Sequence, residues 1–284
     1  MIVTESFEEL RQVLADLPRP LGLVPTMGYL HEGHLSLVQA AKRDCESVGV
    51  SIYVNPSQFG PDEDLETYPR DLARDLDLLE KEGVDVVWTP DTSEVYAEGF
   101  QTWVTVEEVT KPLEGARRPG HFRGVTTIVA KLFNAYQPER AYFGQKDAQQ
   151  VVVIRRMVRD LNFPLDVMLG PTVREPDGLA MSSRNTYLNP AQRKAATVLY
   201  RSLTEAMAAY ERGERQAEVL RKVMAEVLTA EPLANPEYVS VADPTTLQEL
   251  EGEIDGALLS MAVHVGETRL IDNVILGDVP LGGR

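Results

Sequence analysis

Through its first two-thirds the chain alternates short apolar or β-branched runs with amphipathic stretches of helical period, a pattern few folds can absorb. Phe7, Leu10, Val13, Leu14 and Leu17 share one helical face over residues 5–17. Residues 21–24 read as a buried strand, and a helix begins at 34–41 with Leu35, Val38 and Ala41 at helical spacing. Strand, helix and strand follow over 48–54, 69–81 and 84–88, with Pro69 at a first turn and Gly83 just past the end. Helix 124–136, strand 140–143, helix 147–161 and strand 165–169 complete the series. Parallel strands need such crossovers, so the pattern predicts an α/β fold with a Rossmann-like, doubly wound parallel sheet. Ligands on such sheets bind beyond the carboxyl ends of strands, which points to the loops after Val24, Val54 and Phe143.

After Pro171 the pattern changes. Asn189-Pro190 reads as a cap and first turn, opening a long helix to about Tyr210 that Gly213 ends. A second helix is expected over 217–228, then strands over 238–241, 257–265 and 269–271. Helices followed by hairpin-connected strands predict a smaller α+β domain. The expected division is 1–172 and 173–284.

Lys plus Arg number 28 against 44 Asp plus Glu, a net charge of −16, which disfavours nucleic acid or an anionic membrane as partner. A local basic pocket can still hold a small anion. Hydrophobic residues make up 43% of the chain, enough to bury a core and to exclude disorder as its main state. The single cysteine, Cys45, cannot form an intrachain disulfide. No run of about 18 apolar residues marks a membrane span, and the N-terminus lacks a signal-peptide pattern. The expectation is a cytoplasmic protein.

Residues 25–34, Pro-Thr-Met-Gly-Tyr-Leu-His-Glu-Gly-His, join a strand to a helix and hold two of the four histidines. Three readings stand: a plain turn; a zinc site using His31, His34 and Cys45; or an anion site at a helix N-terminus. Gly28 and Gly33 would let backbone approach a ligand there. Neither a P-loop nor a Gly-x-Gly-x-x-Gly fingerprint is present, so an anion site here is of another type. After the next strand, Asn55 and Gln58 offer amides to a carboxylate or hydroxyl. Lys146 follows a third strand, where it can meet phosphate, and Ser182-Ser183-Arg184 suits polyphosphate.

Together these segments resemble the pantoate–β-alanine ligase (pantothenate synthetase) family. The resemblance rests on residues 27–34, on Asn55-Pro56-x-Gln58-Phe59-Gly60 with Tyr68-Pro69-Arg70, and on Pro119-Gly120-His121-Phe122-Arg123-Gly124-Val125. It rests also on Phe143-Gly144-x-Lys146-Asp147, on Gln150, and on Met181-Ser182-Ser183-Arg184-Asn185-x-Tyr187-Leu188. Gln145 stands where many members carry glutamate. The first turn is also similar to the wider His-x-Gly-His nucleotidyltransferase superfamily.

The resemblance implies ATP-dependent ligation of pantoate and β-alanine through a pantoyl adenylate, releasing AMP and pyrophosphate. It implies His34, His31 and Lys146 as catalytic. ATP would be bound by Met27, Gly28, Tyr29, Leu30, His31, Glu32, Gly33 and His34. Gly144, Gln145, Lys146, Asp147, Val173, Met181, Ser182, Ser183 and Arg184 would complete that set. Gln58 and Gln150 would take pantoate and Gln58 also β-alanine, with Asn55 and His121 as further pocket members. Magnesium is expected with the triphosphate, on no named protein ligand, and the protein is expected to be a homodimer. The second domain is expected to act as a lid over a labile acyl adenylate. Arg123 joins His31, His34, Lys146 and Arg184 as the expected concentration of positive groups in an acidic chain.

Overall fold

The computed structural model describes residues 1–283, in two compact units. The first unit takes Met1–Glu107, Arg118–Gly144 and Val153–Pro171. Its sheet is built from β1 (Ile2–Thr4), β2 (Leu21–Thr26), β3 (Ser47–Ile52), β4 (Val86–Trp88), β5 (Arg140–Gly144) and β6 (Asp166–Gly170). The order is β1-β4-β3-β2-β5-β6 and every pairing is parallel. The helices between them are α1 (Phe7–Asp16), α2 (Glu32–Asp44), α3 (Leu72–Lys81), α4 (Thr92–Val95) and α6 (His121–Tyr136), and α7 (Ala148–Asp160) precedes β6. Val24, Val38, Val48, Val50, Leu79 and Val87 form one buried cluster between sheet and helices. The predicted parallel α/β fold is therefore present.

The second unit takes Glu108–Arg117, Gln145–Val152 and the chain from Thr172 onward. It contains α5 (Glu114–Arg117), α8 (Pro190–Ala195), α9 (Val198–Glu211) and α10 (Ala217–Thr229). An antiparallel sheet follows: β7 (Ala234–Ala242), β8 (Ala257–Val265) and β9 (Thr268–Leu276), in that order. Leu199, Leu203, Leu220, Met224, Leu259 and Met261 pack its core. The predicted smaller α+β fold is present, and its unit also takes in two segments that precede residue 172. Asn273 on β9 donates its side-chain amide to the carbonyls of Gln145 and Lys146. Arg269, also on β9, pairs with Glu114 at 2.7 and 2.8 Å. These bonds tie both segments to the antiparallel sheet.

Other departures have local causes. The helix expected from Pro69 begins at Leu72, because the Asp71 carboxylate caps the backbone N–H of Arg74. The long helix expected from Asn189 is two, α8 and α9, broken at Ala196–Thr197 where the Thr197 hydroxyl turns back to the Lys194 carbonyl. β7 starts four residues earlier than expected, its register shifting between Pro236 and Tyr238. Proline lacks an N–H, and an edge strand tolerates that. β1 was not anticipated: three residues, two of them exposed, carry too little pattern.

Candidate active site

The chain runs from β2 outward to β3 and β4, then returns to the other side of β2 as β5. The sheet order therefore reverses between β2 and β5, and a doubly wound sheet opens a crevice at such a point, beyond the carboxyl ends of its strands. β2 ends at Thr26 and leads directly into the 27–34 turn, while β5 ends at Gly144. A Cβ at Gly144 would meet no atom within 4 Å.

In the 27–34 turn Gly28 and Tyr29 are both left-handed, with φ of 81° and 49°. The N–H of Gly28 bonds the Thr26 hydroxyl, and those of Tyr29 and Leu30 bond the carboxylate of Asp75 on α3. These three amides are thus engaged within the protein, which narrows the anion reading to side chains and to the start of α2. His31 is the N-cap of α2 and His34 its third residue, and they cap reciprocally. His31 Nδ1 accepts from the N–H of Gly33 at 3.1 Å, and His34 Nδ1 accepts from the N–H of His31 at 3.3 Å. The His-x-x-His spacing is that of a capping box, with imidazoles in place of the usual hydroxyl and carboxylate. With Nδ1 accepting on both rings, the proton of each neutral ring lies on Nε2. The ring centroids lie 4.1 Å apart with the planes tilted by 39°.

The zinc reading gains no support from the geometry. Cys45 caps the opposite end of α2, and among the described residues no three His, Cys, Asp or Glu side chains gather as a metal site.

Gln58 follows β3 in a short 3-10 turn, and its amide nitrogen lies 3.3 Å from the Met27 sulfur. The loops after β2 and β3 thus meet. Asn55 is 1% exposed and fully engaged. Its nitrogen donates to Gln58 Oε1 and the Gly124 carbonyl, and its oxygen accepts from Ser57 and the Tyr96 hydroxyl. Asn55 therefore orients Gln58, and both its amide atoms are engaged within the protein. His121 does the same for the loop backbone, its Nδ1–H donating to the Gln58 carbonyl at 2.8 Å while Nε2 accepts from Arg118. Arg118 is forked onto Glu63 at 2.7 and 2.6 Å. Burial alone would raise the Glu63 carboxyl, but Arg118 holds it below the ordinary carboxylate range. α6 comes so close that a Cβ on Gly124 would collide with the Ser57 carbonyl.

In the second unit Lys146 lies in the 3-10 turn Gln145–Asp147, its ammonium 3.7 Å from Asp147. Asn273 braces that turn through the two carbonyls named above. Its neighbour Asp272 is forked by Arg174 at 2.6 and 2.9 Å. Burial raises the Asp272 carboxyl against the pull of Arg174 and the positive charge of Lys146. Gln150 lies half-buried on the first turn of α7. The Ser182 hydroxyl oxygen caps the N–H of Arg184, opening the turn Ser183–Tyr187, and the Val173 carbonyl accepts from the Met181 N–H. Arg123 lies exposed on α6, stacked 4.7 Å over Trp103.

Asp75, Tyr96, Arg118 and Asn273 lie outside the sequence motifs. Asp75 alone carried a signal: it interrupts the buried stripe of α3 that holds Leu79. The partners of the other three are fixed by tertiary contacts only.

The sequence profile described as pantoate-beta-alanine ligase matches residues 2–275. A pantothenate synthetase of Chloroflexus aggregans is 60% identical over 97% of this chain and 100% of its own length. One of Herpetosiphon aurantiacus is 58% identical over 97% and 100%. The crystal structure of pantothenate synthetase from Thermus thermophilus superposes with a TM-score of 0.93 at 49% identity, covering 96% of this chain and 99% of the other. That of the Francisella tularensis pantoate-beta-alanine ligase, complexed with beta-gamma ATP and beta-alanine, does so at 0.79 and 33%, covering 99% of each. Matched along nearly its whole length in both sequence and fold, the chain belongs to the pantoate-beta-alanine ligase family.

Proposed function

We infer that this protein joins pantoate to β-alanine at the expense of ATP. A pantoate carboxylate oxygen attacks the α-phosphorus of ATP, the bond from that phosphorus to the bridging oxygen breaks, and pyrophosphate leaves. The amine of β-alanine then attacks the acyl carbon of the adenylate, loses a proton, and AMP departs. The observation that carries this reading is the pair of imidazoles locked by reciprocal Nδ1 caps just past the carboxyl end of β2, in a chain of this family.

Charge accumulates on the phosphoryl oxygens in the first step, and preformed donors stabilise it without reorganising. We assign that work to His34 and His31. Lys146, Arg184, Ser182 and Ser183 hold the triphosphate, and backbone at Met27, Gly28, Gly144 and Val173 lines the nucleotide. Gln58 and Gln150 bind pantoate, and Gln58 also serves β-alanine. Asn55 and His121 act on pantoate through Gln58, as their hydrogen bonds support. Magnesium belongs to this proposal as a companion of the triphosphate, which suits its reluctance to shed water. A homodimer and a cytoplasmic location are further parts of the proposal.

A coupled AMP-release assay tests the reaction. AMP is expected only when ATP, pantoate and β-alanine are all present with magnesium, and absence of AMP from the complete mixture would refute the reading. Gly124→Ala probes the Gln58 loop separately. The new methyl collides with Ser57 and Gln58 backbone, so the loop must shift by about 1 Å. A displacement of that size is expected to lower kcat/KM for pantoate about 10²-fold. Unchanged kcat/KM in the folded variant would remove Gln58 from the pantoate site.

A further inference from the structure

Asp75 is the most deeply buried carboxylate of the first unit, 1% exposed, on the first turn of α3. Its charge partner Arg74 is 3.5 Å away and 45% exposed, too wet to account for a buried anion by itself. Two backbone amides do more: Tyr29 donates to Oδ2 at 2.6 Å and Leu30 to Oδ1 at 2.8 Å. One carboxylate can take two successive N–H groups only where the chain turns back on itself, as it does through the left-handed pair Gly28 and Tyr29. Tyr29 has a Cβ and resists that conformation, so something outside the turn must hold it there. Gly28 is fitted to the same contact. A Cβ on it would stand 3.1 Å from Asp75 Oδ2 and 3.0 Å from the Ile52 side chain. Arg74 also lies 5.4 Å over the Tyr29 ring.

We propose that Asp75 is a positioning residue for the paired imidazoles: its carboxylate clamps the backbone of Tyr29 and Leu30 and thereby sets where His31 caps α2 and how His34 meets it. The clamp ends one residue before His31, and the reciprocal cap then fixes both rings. Without the carboxylate, the Tyr29 and Leu30 amides lose their buried acceptor, Tyr29 relaxes toward ordinary backbone, and the start of α2 shifts. The kinetic part of this inference rests on the proposed adenylation, while the structural part does not.

Burial pushes the Asp75 carboxyl above its ordinary value, even against the two amides and Arg74. Ionised Asp75 is therefore held at some expense to stability, and relief of that expense in a neutral residue of the same shape offsets part of the cost of setting an amide N–H against one of the two backbone donors. This separates positioning from support. The experiment uses Asp75→Asn and Asp75→Glu in the full chain without ligands, read by imidazole nitrogen NMR, thermal melting and pantoate-dependent ATP–pyrophosphate exchange. The chain has four histidines, so His121 and His264 serve as internal controls. In Asp75→Asn the His31 and His34 signals are expected to move while the controls stay, with melting within about 4 °C of the parent. The kcat of exchange should fall about 10–100-fold, with KM for ATP and pantoate changed far less. Asp75→Glu, its carboxylate one methylene too long, should move the same two signals by less.

Unmoved His31 and His34 signals in either folded variant would overturn the proposal. So would movement of all four signals with a large loss of melting temperature, which marks general support. Failure of Asp75→Asn to fold hands the decision to Asp75→Glu under the same criteria. A parent protein without pantoate-dependent exchange would refute the proposed reaction, and the imidazole comparison would still decide the role of Asp75.

Discussion

Alanine at position 34 is expected to slow formation of the pantoyl adenylate by about 10³-fold, the scale set by removing one preorganised donor together with a general-acid group. His34→Ala removes two things at once. It deletes an Nε2–H donor, and it takes away the Nδ1 that accepts from the His31 backbone N–H at 3.3 Å. His31 keeps its own capping bond to Gly33 but loses the partner that fixes its place. His31→Ala should therefore be the milder lesion for His34 geometry and the costlier one for the helix, since loss of an N-cap removes about 1 kcal/mol. Pantoate-dependent exchange of pyrophosphate into ATP reads the first step alone, and a melting curve checks that the variant is folded. Exchange near the parent rate in folded His34→Ala would remove His34 from the chemistry.

Much of this protein was legible in its sequence because two simple periods carry it. Alternating strand and helix patterns imply crossovers, crossovers imply parallel strands, and parallel strands place ligands at their carboxyl ends. Those implications reach the loop after β2 from the residue pattern alone. What they could not reach was the use made of each polar group. Asn55 and Gln58 looked equivalent as amides beside a strand end, yet Asn55 is saturated by Gly124, Ser57 and Tyr96, residues 2 to 69 positions away. The helical period marks Asp75 only as an acid on the buried stripe of α3, while its two amide donors lie 45 and 46 residues earlier in the chain. The −16 charge likewise says nothing of where cations are employed. Arg118, Arg174 and Arg269 are committed to Glu63, Asp272 and Glu114, and Arg123 to Trp103. A charge total cannot tell these structural cations from Lys146 and Arg184, the two assigned to the triphosphate.

The commitment of Arg174 supports the largest expected effect on stability. Arg174→Met strands Asp272, whose side chain is 1% exposed, leaving it the N–H of Asn273 as a backbone donor. The variant also loses the guanidinium stacked 3.9 Å over Tyr200 and its bond to the Gly178 carbonyl. Breaking a buried pair from one side costs about 3–5 kcal/mol. The pH dependence fixes the cause. Burial already raises the folded Asp272 carboxyl above its ordinary value of 3.8, so its contribution to stability is fully present below that value and is lost as pH rises through the folded one. Removing Arg174 raises the folded value further while the unfolded value stays. The penalty in Arg174→Met should therefore be small in acid, grow as pH rises above the ordinary aspartate range, and level off once Asp272 is ionised in the folded protein. Denaturant unfolding of parent and variant across that range measures it. Adding Asp272→Leu should recover most of the loss, because the uncompensated charge and not the missing arginine is the source. Because Asp272 adjoins the Asn273 brace under Lys146, the single variant should also lose adenylation activity that the double variant regains only in part. A penalty independent of pH, or one that persists undiminished in the double variant, would show that Arg174 acts by packing against Tyr200 alone.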